Sequence, residues 1–597
     1  MPTVILTGLP VPGSPLADGL RSLGFDVRSA AGPENATTPD EIAAALADVP
    51  ADQRVAVVDS AFVGHLHALR LALTDPRFDA CAVPGAFAVQ PGARAALDKA
   101  AALAPGGEGP YADRLAAAVE DAGTTVQRPE LGTLVATVPA TTAERDAAAA
   151  AVAAVDDEAV RLRTAVKSRD GFFTTFFISP YSRYIARWCA RRGLTPNQVT
   201  TASLITALIA AGCAATGERW GYVAAGVLLL VSFVLDCTDG QLARYSLQYS
   251  TLGAWLDATF DRAKEYSFYA GLALGAARGG DDVWALALGS MILMTCRHVV
   301  DFAFNEANHD ATANTSPTAA LSGRLDSVGW TVWVRRMIIL PIGERWAMIA
   351  VLTAFTTPRI VFYALLVGCA FGALYTTAGR VLRSLTRKAT RTDRAAQALA
   401  DLADSAVLAW LGAPRPAKRA SRASVWLAVG GAVIMIGEAL RQDFGSPWVI
   451  AAAVGYAGFS AAAVAAPLKG SLDWLIPPVF RVAEYVTVLV LAAKADVPGA
   501  LPAAFGLVAA VAYHHYDTVY RIRGGSSAPP NWLVRTTGGH EGRVLLTVVL
   551  AAVLARDAFP AALTAMAVFV ALVVLVESIR FWVSSGAPAV HDEGEPA

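Results

Sequence analysis

The sequence predicts a multi-domain chain, a soluble α/β domain followed by two α-helical membrane domains. Two observations predict it. Over the first 140 residues, apolar β-rich runs alternate with Ala/Leu-rich helical patterns. From residue 199 onward, twelve apolar segments follow one another, and the 597-residue chain as a whole has 55% hydrophobic and only 17% charged residues. A formal net charge of −1 gives no case for a nucleic-acid partner. The six cysteines are scattered without a CxxC pair, which excludes a zinc ribbon and argues against a disulfide framework. The opening MPTVILTG lacks a basic region and a cleavage site, so it reads as a first strand and not as a signal peptide.

Within residues 1–140 the strand candidates are Thr3–Thr7, Phe25–Arg28, Arg54–Asp59 and Leu131–Val138, in a mainly parallel sheet. The loop Gly8-Leu-Pro-Val-Pro-Gly13-Ser14-Pro15 after the first strand could hold a phosphate at a helix N-terminus. Its prolines remove backbone donors, and neither GxGxxG nor a P-loop is present, so a plain strand-to-helix turn is the competing reading. Asp59 reads as the N-cap of a helix over Ala61–Leu73, with a metal ligand as the alternative. His65, His67 and His309 read as surface residues.

Residues 141–198 join the domain to the membrane. An Ala-rich helix over 141–166 leads to Phe172, Phe173, Phe176, Phe177, Tyr181, Tyr184 and Trp188, interleaved with Arg183, Arg187, Arg191 and Arg192. Aromatic and basic residues at helical spacing describe a helix lying in the membrane interface beside anionic head groups. Residues 199–385 then hold six apolar segments near 199–216, 220–236, 251–277, 282–305, 343–357 and 358–382, each approaching the ~20 residues a bilayer crossing needs. Lys and Arg concentrate in alternate loops (Arg187/191/192, Arg244, Arg324/335/336, Arg380–Arg394), which places both ends of this bundle in the cytoplasm. Residues 386–423 read as a polar basic linker. Residues 424–583 hold six further apolar segments, and 584–597 read as a disordered tail.

One stretch stands out, Asp236 to Asp261, reading DCTDGQLARYSLQYSTLGAWLDATFD. Asp236 and Asp239 are spaced i, i+3 and Asp257 and Asp261 i, i+4, so each pair faces one side of a helix. Like charges that close repel by roughly 4 kcal/mol per pair at an effective dielectric of 20. Four would not gather at a membrane surface without cations, so the stretch reads as a metal site. An ion pathway of a transporter is the competing reading of intramembrane carboxylates.

The spacing Asp-x2-Asp-Gly-x2-Ala-Arg-x8-Gly-x3-Asp-x3-Asp resembles the signature of the CDP-alcohol phosphotransferases, with every position present. The resemblance covers about residues 160–385. It implies two divalent ions, Mg²⁺ or Mn²⁺, held by Asp236, Asp239, Asp257 and Asp261, with the CDP moiety gripped by Gly240, Ala243, Arg244 and Gly253. It implies Asp261 as general base, a CDP-alcohol donor, a polar alcohol acceptor such as an inositol phosphate, release of CMP, and often a homodimer. Hard cations with oxygen ligands suit a pyrophosphate. Glycines permit close approach, and Arg244 can contact phosphate in bidentate fashion.

The domain order is similar to that of bifunctional enzymes joining an inositol-1-phosphate cytidylyltransferase to a di-inositol-phosphate-phosphate synthase. On that resemblance the first domain is nucleotidyltransferase-like (Rossmann-like). Its loop GLPVPGSPLADGL lacks the Arg and Lys those cytidylyltransferases carry, so a degenerate domain is expected. The implied setting is a bacterial inner membrane, with the active site and N-terminal domain cytoplasmic. A bifunctional enzyme and a non-catalytic membrane protein retaining the motif stay open as alternatives. The second membrane half resembles a domain of unknown function appended to such transferases. It carries its own polar set: Arg481, Glu484 and Tyr485; His514, His515, Asp517 and Arg521; His540, Glu541 and Arg543. Glu484 with the histidines could bind a metal or phosphate, or the set could be a buried, paired network.

Overall fold

The computed structural model describes residues 2–8, 11–30, 39–103, 108–167, 170–309, 311–315, 333, 337, 339–386, 388–406 and 423–584. The chain forms two compact units, one of Met1–Ser168, Pro180–Pro196 and Thr238–Ser250, the other of Arg169–Ser179, Asn197–Cys237 and Thr251–Ala597.

In the first unit, β1 (Thr3–Thr7), β2 (Asp26–Ser29) and β3 (Val55–Asp59) alternate with α1 (Leu16–Ser22) and α2 (Pro39–Ala47). Both β2 and β3 pair with β1 in parallel, one on each side, so the loop after β1 lies at a switch point of the sheet. The other half of the sheet corrects the expectation of a mainly parallel arrangement. β5 (Ala80–Val83) and β6 (Ala86–Val89) form a hairpin, and β6 runs antiparallel to β3, giving the order β2-β1-β3-β6-β5. The hairpin turns on Pro84-Gly85, with Gly85 at φ +80°, a position that suits glycine. Near Leu131–Val138 only Ala136–Thr137 is extended (β7), paired with the short β4 (Val63–Gly64).

β4 also displaces the expected helix. α3 begins at Leu66, with His65 as its N-cap residue, and ends at Thr74. Asp59 does not cap it; its carboxylate accepts from the Ala61 N–H at 2.8 Å and closes a local turn. Burial raises the Asp59 carboxyl, the Ala61 N–H opposes this, and Asp113 adds to the rise. Ser60 donates to the Gly8 carbonyl (3.3 Å), which ties β3 to the loop after β1.

His65 and His67 are both 4% exposed, which corrects their reading as surface residues, while His309 is exposed. His65 Nδ1 accepts from the Val135 N–H at 2.8 Å and so anchors the segment before β7. The His67 ring nitrogens have no hydrogen-bond partner. Burial, then Arg161 and Arg70, push its pKa down to about 4. An unfolded histidine titrates near 6.5, so between the two values the unfolded chain binds more protons than the folded one. The first unit is therefore expected to lose stability as pH falls through that window, by at most roughly 3 kcal/mol. Thermal unfolding at pH 4.5 and 7.5 should show this slope in the parent and a flatter one in His67→Leu; equal slopes would contradict it.

The Ala-rich stretch 141–166 is two helices, α6 (Thr142–Ala153) and α7 (Asp157–Thr164), because Asp156 caps a new start by accepting from the Glu158 and Ala159 N–H groups. α8 (Ser179–Arg191) follows a π-helical turn over Thr174–Ile178. Phe176, Phe177, Tyr181 and Trp188 are all more than half exposed.

The twelve apolar segments are all helical. The first six are α9 (Pro196–Ala215), α10 (Arg219–Ser246), α11 (Thr251–Arg278), α12 (Trp284–Asn308), α13 (Ile342–Phe355) and α14 (Pro358–Thr386). A short pairing of β8 (Thr312–Thr315) with β9 (Lys388–Thr390) brackets the last two. Arg324, Arg335 and Arg336 lie outside the described residues, as do 407–422 of the expected linker and 585–597 of the expected tail. The expected linker is not wholly irregular: α15 (Asp393–Ala403) lies within it, with Leu399 and Leu402 buried. The later helices are α16 (Ser424–Arg441), α17 (Pro447–Val464), α18 (Ile476–Ala495), α19 (Ala500–Arg523), α20 (Asn531–Thr537), α21 (Gly539–Val553) and α22 (Phe559–Ser584).

Among the described residues, eight helices are long and apolar enough to cross a membrane. The four expected segments outside that set are α11, α13, α19 and α21. α13 and α21 have only 14 and 15 residues; α11 and α19 carry clusters of ionisable side chains. Charge at membrane depth persists only when paired or functional, and α11 and α19 carry such charge. Small residues let the bundle close. A Cβ on Gly271 or Gly275 of α11 would run into the carbonyl oxygens of Ala211 and Ala214 on α9.

Candidate active site at the α10–α11 turn

α10 runs apolar through Leu228–Val231 and then turns polar at Asp236 without breaking, because Ala, Leu and Gln keep helical propensity through the motif. It stops just before Leu247, a non-glycine residue at φ +52°, and the Gln248 N–H closes back on the Ala243 carbonyl at 3.0 Å. α11 begins four residues later, so Asp257 and Asp261, one turn apart, return toward Asp236. One carboxylate oxygen from each of Asp236, Asp257 and Asp261 lies within 4.8 Å of the others. The Asp236 and Asp261 side chains are 15% and 17% exposed. Three partly exposed carboxylates that close fit a hard divalent cation, which prefers oxygen ligands. Among the described residues no other group of three His, Cys, Asp or Glu side chains has such spacing.

A lysine absent from the sequence reading stands in this site. Lys264 is fully buried, pairs with Asp261 at 2.9 Å and with Asp236, and donates to Ser203 Oγ at 3.2 Å. Its position was legible in principle: i+3 from Asp261 and i+7 from Asp257 put it on their helix face. Behind it, Glu265 gathers Arg262 (2.8 Å), Arg345 (3.2 Å) and the Tyr269 hydroxyl (2.7 Å). The Arg262 guanidinium also lies 5.2 Å from the Tyr516 ring centroid, and Tyr516 meets His298, so α19 touches the helix that carries Asp257 and Asp261.

The rest of the motif lies further along α10. Asp239, one turn beyond Asp236, is buried. Gly240 sits beside the Arg244 guanidinium, where a Cβ would stand 3.4 Å from its nitrogen. Arg244 Nε donates to the Ala165 carbonyl at 2.6 Å. Gln241, buried, accepts from Ser182 at 2.7 Å. Tyr245 donates to Glu158 at 2.8 Å, and its carbonyl accepts from Arg161. The Gln241–Tyr245 part of the motif is thus tied to α7, its C-cap and α8. Ala243 lies in the last turns of α10 and Gly253 in the first turn of α11, both half-buried.

The second polar set divides in two. Asp404, at the end of α15, is its hub, and sequence reasoning missed it. Its carboxylate meets Arg543 (2.7 Å), Arg481 (3.4 Å) and His514 (3.3 Å). Glu484 pairs with the same two arginines, at 2.7 Å to Arg481 and 2.6 Å to Arg543. His515 is buried beside them. His540 bonds the Tyr456 hydroxyl at 2.7 Å and stacks on Phe480, while Glu541 accepts from Ser405 at 2.7 Å. Asp517 belongs elsewhere. It accepts from Ser578 (2.6 Å) and Trp582 (2.7 Å) and pairs with Arg521, which reaches Glu577.

Residues 193–374, which contain the whole Asp236–Asp261 stretch, match the family described as CDP-alcohol phosphatidyltransferase, and this part of the chain is a domain of that kind. Residues 393–597 match a family of unknown function, DUF5941. The chain is 28% identical over 210 residues to the bifunctional IPC transferase and DIPP synthase of Aquifex aeolicus, covering 34% of this chain and 46% of the relative. It is 33% identical over 115 residues to the archaetidylinositol phosphate synthase of Pyrococcus horikoshii (19% and 58%). It is also 33% identical over 131 residues to the phosphatidylinositol phosphate synthase of Streptomyces avermitilis (21% and 51%). The chain spans about half the length of these curated relatives.

Proposed function

We propose that this chain is a divalent-metal-dependent CDP-alcohol phosphotransferase of phospholipid or inositol-phosphodiester synthesis. The observation that carries this is the convergence of Asp236, Asp257 and Asp261 within a domain that matches the transferase family. The donor is a CDP-alcohol, CDP-diacylglycerol or a soluble CDP-polyol. The relatives named archaetidylinositol phosphate synthase and phosphatidylinositol phosphate synthase favour an inositol phosphate as acceptor.

Asp236, Asp239, Asp257 and Asp261 would hold two Mg²⁺ or Mn²⁺ ions, whose chemistry is to neutralise charge on the pyrophosphate. Gly240, Ala243, Arg244 and Gly253 seat the CDP moiety. Asp261 takes the proton of the acceptor hydroxyl as its oxygen bonds to the β-phosphorus. The bond from that phosphorus to the bridging oxygen breaks, and CMP leaves with the electron pair. Alternating loop charge favours a cytoplasmic site in a bacterial inner membrane, with the multi-pass chain forming a homodimer. The N-terminal domain is nucleotidyltransferase-like and degenerate; a CTP titration of the full chain tests it, and tight Mg²⁺-dependent binding there would revive a bifunctional enzyme.

The deciding assay is CMP release by purified protein with inositol phosphate and either CDP-diacylglycerol or CDP-inositol. One donor should release CMP in Mg²⁺ and none in EDTA. No CMP from either donor, with no Mg²⁺-dependent CDP binding, would leave a structural membrane protein that merely keeps the motif.

A further inference from the structure

The signature ends at Asp261, yet the site's most buried charge lies three residues beyond it. The Lys264 ammonium donates to the carboxylate of Asp236 and the hydroxyl of Ser203, and it forms an ion pair with the carboxylate of Asp261 at 2.9 Å. Ser203 is itself held in place: it donates to the Ser232 carbonyl at 2.8 Å, and Ser232 donates back to the Ser203 carbonyl at 2.8 Å, locking α9 to α10. At 0% exposure Lys264 has no route to solvent without opening that packing. The indole of Trp346, 5.6 Å from the ammonium, closes another side.

The three converging carboxylates, the further ligand Asp239 and one ammonium carry a net charge of −3. One divalent ion brings it to −1. A second would turn these groups positive, to +1, an unfavourable balance in a low-dielectric setting unless an anion enters with it. A CDP moiety brings that anion as its pyrophosphate.

We propose that Lys264 holds the place of the second divalent ion in the nucleotide-free protein, so that one ion binds alone and the other arrives only with the nucleotide. This rests on the transferase reading above. It makes Lys264 a positioning residue that orders the assembly of the site: Asp236 and Asp261 are kept apart from one another's charge until the donor supplies its own. Metal without donor then leaves the site incomplete, which disfavours idle activation of water.

The test is equilibrium Mn²⁺ binding to the full chain in detergent, read by the electron paramagnetic resonance of free Mn²⁺, with and without CDP. The parent should bind about one ion alone and about two with CDP. In Lys264→Met, which removes the charge and keeps the length, the second ion should bind without CDP at least roughly tenfold tighter than in the parent. Lys264→Arg should behave as the parent does. Two tightly bound ions in the parent without CDP would overturn the proposal whether or not the methionine variant folds. So would a folded Lys264→Met with the parent's stoichiometry. An absence of Mn²⁺ binding under every condition would instead remove the metal-site reading itself, and the proposal with it.

Discussion

Asp261→Asn is expected to lower Mg²⁺-dependent CMP release by roughly 10²–10⁴-fold, the usual worth of a positioned general base. The substitution is nearly isosteric, so α11 and its contacts should persist. What changes is that the side chain no longer accepts a proton and is a weaker oxygen ligand. The neighbouring geometry makes the variant informative. Lys264 pairs with both Asp261 and Asp236, so the amide leaves the ammonium one anionic partner and does not strand it. A stability loss large enough to mimic inactivity is therefore not expected, and thermal unfolding of the variant checks this directly. Turnover at the parent's rate would remove Asp261 from the chemistry. Loss of turnover together with loss of Mn²⁺ binding would make it chiefly a ligand.

Asp404→Ala should be the most destabilising single change in the second membrane half, by roughly 3–5 kcal/mol. Arg481, Glu484, Arg543 and Asp404 are all at most 6% exposed, two cations against two anions. Removing one anion leaves two guanidinium groups to share Glu484 with no water to replace the missing carboxylate. The backbone adds to the effect, since Asp404 sits at φ +53°, a conformation Asp tolerates better than Ala, and its carbonyl accepts from the His540 N–H. Denaturation in detergent, followed by the fluorescence of the buried Trp474 and Trp582, would register the loss. A change under about 1 kcal/mol would mean that the network is not what holds this half together. Asp404→Asn, which keeps hydrogen bonding but not charge, should fall between the two.

The Asp236–Asp261 stretch was largely legible because its spacing is local. Asp236 with Asp239, and Asp257 with Asp261, each occupy one helix face whatever the rest of the chain does. The strand Thr3–Thr7 was legible for the same reason, and it came out at those residues. The hairpin Ala80–Val83 and Ala86–Val89 was not, because an Ala-rich run with Pro-Gly at its centre carries little β-propensity and takes its form from pairing with β3. α15 was hidden by the polar residues around it; its apolar face shows only as a 3.6-residue period against the rest of the membrane half.

By itself, the sequence determined the helical character of twelve apolar segments, the α/β start, and the carboxylate pairs of the α10–α11 turn with the Gly-Ala-Arg-Gly pattern between them. These follow from periodicity and short-range spacing. The tertiary structure alone decided that Asp404 neutralises arginines 77 and 139 residues away, that Asp517 parts company with His514, and that Ser203 of one helix completes the coordination of Lys264 on another. Charges buried in a membrane protein must find partners, and the chain does not announce over what distance they will.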